Sequence, residues 1–135
     1  MRLIVCLDDR FTMAFHGRRQ SRDKSIVSHI CRMLEGKKLW LNNYSAPLFF
    51  GMNADVCVDE DFLIHAEQDD FCFVENLNLA PYKNCYTEII IYRWNRHYPG
   101  DLYFPTDMLS GMKMIHSEEF SGNSHERITQ EVYRL

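Results

Sequence analysis

The sequence has no Cys-x-x-Cys pair, no His-x-x-x-His and no apolar stretch of about eighteen residues. The missing pairs remove the common zinc frameworks, and the missing stretch removes a membrane-spanning helix. Its five cysteines (Cys6, Cys31, Cys57, Cys72, Cys85) are odd in number and several sit in apolar runs. That pattern reads as reduced core thiols and places the chain in the cytoplasm. The six histidines are scattered, so no metal is expected; an oxygen site for Mg²⁺ from Asp8, Asp9 and Glu75 is the weak exception. Positive charge is not in excess either. A net charge of −4 argues against a general nucleic-acid coat, because counterion release needs a dense basic surface, but it leaves room for a local basic site. The apolar run at residues 3–7 is followed at once by Asp8 and Asp9, too short for a signal peptide's hydrophobic region. No repeat, linker or low-complexity segment breaks the 135 residues, so a single domain spanning 1–135 is expected.

What is present is an alternation of strands and helices. "RLIVCL" at 2–7 is a short, nearly continuous apolar run, the pattern of a central strand buried on both faces. From residue 21 to 35, Ile26, Val27, Ile30, Met33 and Leu34 fall on one helical face, with Gly36 placed to end the helix. "KLWLN" at 38–42, "DVCV" at 55–58, "FCFVEN" at 71–76 and "TEIIIYRWN" at 87–95 read as further strands. A turn or short helix follows Tyr44 and Ser45, and "DEDFLIHAEQ" after residue 58 opens with acids suited to a helix N-terminus. Alternation stops near the end, where 113–120 and 127–135 read as two strands joined through Ser121-Gly122-Asn123. The order predicts an α/β fold, a mostly parallel sheet flanked by helices with a C-terminal antiparallel hairpin.

That order, the opening "LIVCLDD" and the late "GDLYFPTDMLSGMKMIHSEEF" resemble dihydrofolate reductase over most of the chain, with 46–70 shortened. The resemblance implies the scaffold but not the chemistry. It sets Ile26 in the place of the carboxylate that supports substrate protonation, with Asp23 nearly one turn earlier, and Gln20 and Ser21 in the place of a Pro-Trp pair. The flexible glycine loop becomes "RFTMAF" at 10–15, without glycine. The Gly-Arg-x-Thr that holds NADPH phosphate becomes Asn42, Asn43, Tyr44 and Ser45, the paired glycines become Glu75 and Asn76, and the threonine near the pteridine becomes Tyr92. The resemblance therefore implies a scaffold kept, with folate and NADPH binding and reductase activity lost, and no cofactor is expected. Fold alone does not license function.

Three clusters are candidates for chemistry. "GRRQSRDKS" at 17–25 places Arg18, Arg19 and Arg22 just before or at the start of a helix, at the mouth of the inherited cleft. Free N–H groups at the helix start together with forked guanidinium groups suit an anion: a phosphorylated small molecule, a nucleotide or an RNA end. Asn42, Tyr44, Ser45, Glu75 and Tyr92 are expected to line the same cleft. The same arginines read equally as solvated, with Asp23 an ordinary N-terminal helix acid. "YRWNRHYPGD" at 92–101 interleaves aromatics and cations, as single-strand binders do, although alternation along a strand gives the same pattern. In "SGNSHERI" at 121–128, Ser124, His125 and Glu126 cannot form a triad with one another if they lie along a strand, since neighbours then face opposite ways. Asp23 and His125 remain the candidate proton carriers for a competing reading, a metal-independent phosphodiesterase or ribonuclease. A third reading is an interaction module, a homodimer through the apolar "APLFFGM" at 46–52.

Overall fold

A computed structural model describes residues 1–135. Five parallel strands form most of the main sheet: β1 (Arg2–Leu7), β4 (Lys38–Leu41), β5 (Asp55–Val58), β6 (Phe71–Phe73) and β7 (Glu88–Arg93). The antiparallel pair β9 (Lys113–Phe120) and β10 (Ile128–Arg134) completes a seven-stranded sheet in the order β5-β4-β6-β1-β7-β10-β9. β1 is central, and its apolar run has the expected cause. Leu3, Val5 and Leu7 pack into one core cluster and Ile4 into another, so alternate side chains feed the two faces of the sheet.

One face is covered by α1 (Lys24–Leu34), whose Ile26, Ile30 and Leu34 recur every fourth residue and pack with Ile4, Leu39, Leu41 and Ile90. Each of those three side chains contributes roughly 2 kcal/mol by leaving water. The helix starts three residues later than the sequence pattern suggests and ends as Glu35 and Gly36 both turn left-handed (φ 49° and 84°). The opposite face has no long helix. The segment after residue 58 forms only one turn, α2 (Phe62–His65), because Asp61 supplies no side-chain cap and Ala66 is already extended. Phe62, Leu63, Leu79, Tyr86, Phe104 and Met108, most of them in loops and short 3-10 turns, fill that face instead. The mixed sheet is thus as expected, and its helices are fewer.

The sequence pattern also missed a second, three-stranded sheet: β2 (Thr12–Phe15), β3 (Arg18–Arg19) and β8 (Leu102–Tyr103), in the order β3-β2-β8. Its hairpin turns through His16 and Gly17, both at positive φ (50° and 75°), the backbone that a tight two-residue hairpin requires. The buried Asp8 carboxylate ties this sheet to the end of β1 by accepting from Thr12 N–H (2.9 Å), Thr12 O–H (2.7 Å) and Tyr98 N–H (3.2 Å). Burial pushes the Asp8 pKa up, but these donors prevail and hold it below the usual carboxylate range. No helix is long and apolar enough to cross a membrane.

Candidate functional site

β3 decides what the arginine cluster does. Arg18 and Arg19 are consecutive on a strand, so their side chains leave on opposite faces. Arg19 turns toward the sheet and grips Glu75, two residues beyond β6, with a two-pronged ion pair (Nε to Oε2 2.8 Å, Nη2 to Oε1 2.9 Å). Tyr44 stacks on the guanidinium at 4.3 Å, its hydroxyl accepts from the Arg19 backbone N–H (2.9 Å), and its carbonyl accepts from Nη2 (3.2 Å). Ser45 donates its hydroxyl to Glu75 (2.7 Å), Asn42 accepts from the Ser45 N–H (3.1 Å), and Asn42 donates to Asn76 (3.3 Å). The hydrogen bonds to Glu75 hold the Arg19 pKa above its ordinary value, against the pull of burial.

Arg19, Asn42, Tyr44, Ser45 and Glu75 are thus brought together and engage one another. The web closes over the carboxyl end of β1, where the half-buried Cys6 thiol is pushed far up by loss of solvent and by the Glu75 charge. Arg18, outside that web, lines a shallow groove with Phe15, His16, Arg19, Gln20 and Pro99. Tyr92 is not at the cleft at all. It is fully buried beneath α1, bonded to His29 Nδ1 (2.7 Å) and Gln130 (3.2 Å), because the strand alternation of β7 turns it into the core. The oxygen set of Asp8, Asp9 and Glu75 does not assemble for a metal: Asp8 is engaged by Thr12 and Tyr98, and Glu75 by Arg19 and Ser45.

The open cleft lies beside the α1 N-terminus. It has a volume of about 650 Å³, with Arg22, Lys24, Asn123 and Ser124 among its polar lining and Val27, Leu48, Phe50 and Met52 as its apolar wall. Arg22 and Lys24 make no side-chain hydrogen bond or ion pair within the protein, and Phe50 is 75% exposed. Lys24, Phe50 and Met52 are not expected from sequence as ligand contacts, Phe50 and Met52 lying in the 46–52 run read as a dimer surface; an exposed aromatic beside unpaired cations shows only in three dimensions. The helix start, by contrast, is not free for an anion. Asp23 caps the Ser25 N–H (2.8 Å), the Lys24 N–H donates to Asn123 Oδ1 (2.7 Å), and the Ile26 and Val27 N–H groups donate to the Asp23 carbonyl.

Asp23 and His125, 102 positions apart, meet at 3.0 Å (Oδ2 to Nδ1), both almost wholly buried. The carboxylate also accepts from the N–H groups of Asn123 (2.9 Å) and Ser124 (2.9 Å). Burial pushes the Asp23 pKa up, yet these donors outweigh it and hold the carboxyl well below the usual range. His125 Nε2 faces the Tyr98 hydroxyl (2.8 Å) and Ser21 Oγ (3.2 Å), and Trp94 stacks on the ring at 4.7 Å. Residues 121–127 form a loop that extends beyond the expected turn at Ser121-Gly122-Asn123, so Ser124 and His125 are free of strand alternation and Ser124 Oγ lies 3.1 Å from His125 Nδ1.

No protein-family model matches the sequence, and no curated protein matches it at a significant level. The structure gives a clear answer where the sequence does not. Dihydrofolate reductase from Enterococcus faecalis, in complex with NADP(H) and RAB-propyl, superimposes with a TM-score of 0.65, covering 98% of this chain and 94% of that one at 9% identity. The fold is that of dihydrofolate reductase. The residues that the sequence resemblance sets at the NADPH contacts are engaged with one another, an arrangement that does not fit that cofactor. Glu75 presents a buried carboxylate at the end of β6, and its partners Arg19 and Ser45 are already engaged. Ile26, which the resemblance sets in the place of the family's carboxylate, is a core side chain, 3% exposed.

Proposed function

We propose that this dihydrofolate reductase-like domain is a binding protein for an anionic, partly apolar ligand, a phosphorylated small molecule, nucleotide or RNA end, and that it does not reduce folate. The observation that carries the reading is the pair of unpartnered cations, Arg22 and Lys24, facing the exposed Phe50 across the 650 Å³ cleft. A charged ligand end gains a guanidinium fork there without displacing an internal ion pair, and a planar or aliphatic body gains the apolar wall. The reading differs from the sequence expectation in its cations. Arg22 and Lys24 carry it; Arg19 lines the same cleft but is held by Glu75, and Arg18 flanks a different groove. The phosphodiesterase reading needs Arg19 and Arg22 on one phosphate, and the grip of Glu75 on Arg19 counts against that pairing.

Thermal melting against nucleotides, sugar phosphates, aromatic carboxylates and short RNAs tests the proposal. A ligand at a hundred times its Kd stabilises the fold by about 2.7 kcal/mol, a readily measured rise in Tm. No rise with any anion, or a rise unchanged in Arg22→Ala and Lys24→Ala, would overturn it.

A further inference from the structure

We propose that Ser21 is the nucleophile of a Ser21–His125–Asp23 relay that cleaves esters of small anionic acids. The anionic preference rests on the binding reading above; the relay does not.

The contacts follow the order that nucleophilic serine chemistry needs. Asp23 only accepts hydrogen bonds, so the proton between it and His125 sits on Nδ1, and the Nε2 lone pair is left facing Ser21 Oγ at 3.2 Å. Asp23 is a positioning residue, fixed by three backbone N–H groups, and Trp94 holds the imidazole plane by stacking. A second, independent observation concerns the donors beside the nucleophile. The backbone N–H groups of Arg22 and Asp23 find no acceptor within the protein, and the Arg22 side chain is unpaired. An N–H on the residue after the nucleophile is a donor that an oxyanion requires. Ser21 is part-exposed and lies in the chain between Gln20, which lines the groove beside Pro99, and Arg22, which lines the apolar cleft.

In the first half-reaction Ser21 Oγ bonds to the ester carbon as His125 Nε2 takes the hydroxyl proton. The carbonyl oxygen carries the charge beside the Arg22 N–H; the C–O bond to the alcohol then breaks, and the alcohol leaves with the proton from Nε2. Water repeats the sequence on the acyl-serine, releasing the acid and restoring Ser21. The Tyr98 hydroxyl shares Nε2 at 2.8 Å and competes with Ser21 for it.

The full chain is incubated with a fluorophosphonate ester, and the adduct is mapped by peptide mass spectrometry. The expected result is a single adduct on Ser21, absent in Ser21→Ala and formed about 100-fold more slowly in His125→Gln. Tyr98→Phe, which leaves Nε2 to Ser21 alone, is expected to speed labelling; a fall would assign the proton transfer to Tyr98 and overturn the role of Ser21. Circular dichroism of each variant separates lost reactivity from lost fold, and Ser21→Ala, which removes one hydroxyl at a part-exposed position, is the informative variant if His125→Gln unfolds. Absence of an adduct on folded protein would overturn the relay even where anions raise the Tm. Labelled Ser21 with equal turnover of p-nitrophenyl acetate and the anionic p-nitrophenyl hemisuccinate would leave the relay standing and remove the anionic preference.

Discussion

The web around Arg19 and the cleft beside Arg22 share a wall, and they treat charge in opposite ways. Around Arg19 the guanidinium fork, the Glu75 carboxylate, the Ser45 hydroxyl and the Asn42 amide satisfy one another beside the half-buried Cys6 thiol. Three residues on, Arg22 has no internal partner, and neither has Lys24. A buried charge without a partner is costly, whereas a solvated one is not, so folding demands the first arrangement and is indifferent to the second. Unpaired charge at an apolar wall is therefore where ligand binding is to be sought, and the paired web is the scaffold that holds that wall in place.

The largest expected effect comes from the shared support. Asp23→Ala removes the α1 cap and orphans the Asn123, Ser124 and His125 donors, which is expected to cost about 4 kcal/mol of stability, measured by urea unfolding. Gly122→Ala tests the same joint, because a Cβ there would collide with Asp23 Oδ2. The pH dependence has a definite sign. The folded-state pKa of Asp23 is depressed, so its contribution is fully present above the unfolded carboxylate value of about 3.9 and is lost as pH falls through the folded value. The gap between wild type and Asp23→Ala should be widest at neutral pH and narrow on acidification below about pH 4.

Next in size is the substitution that turns the closed region into an open one. Glu75→Ala leaves Arg19, 22% exposed, without its counter-charge, and is expected to cost about 2 kcal/mol, less than a fully buried pair because water still reaches the guanidinium. The same variant should acquire affinity for inorganic phosphate at Arg19 that the wild type lacks, read by the phosphate dependence of Tm. Stability unchanged in Glu75→Ala would mean that the ion pair does not hold the web together.

How far the sequence discloses this division depends on the reach of each signal. β1, α1 and the final hairpin are visible because their apolar periods are long and local. The small second sheet is not, since β2 and β3 are four and two residues long and their turn uses a His-Gly pair outside the usual hairpin dipeptides. Missing β3 has a direct consequence: without the strand, Arg18 and Arg19 look like neighbours on one site, and with it they must diverge. Asp23 and His125 each stand out by residue type, but their meeting is a contact across 102 positions that no local pattern encodes. Ser21, Trp94 and Tyr98 complete that cluster for the same reason, whereas Tyr92 is expected at the cleft only from the family resemblance and the structure places it in the core.

The smallest effects on the fold should be the most telling for the ligand. Arg22→Ala and Arg18→Ala remove the same charge from exposed positions and should each leave Tm within about 2 °C of wild type, because neither side chain has an internal partner. Their effects on binding should differ. Arg22 lines the apolar cleft, so its loss should weaken an anionic ligand about tenfold, one charge-assisted hydrogen bond's worth. Arg18 lines only the shallow groove beside Pro99, so its loss should change affinity less than about twofold through screened, long-range charge alone. Isothermal titration of the same anion into both variants measures the ratio directly. Equal losses would mean that the ligand senses the overall basic cluster and not the cleft, and the distinction between the two regions would then have no bearing on binding.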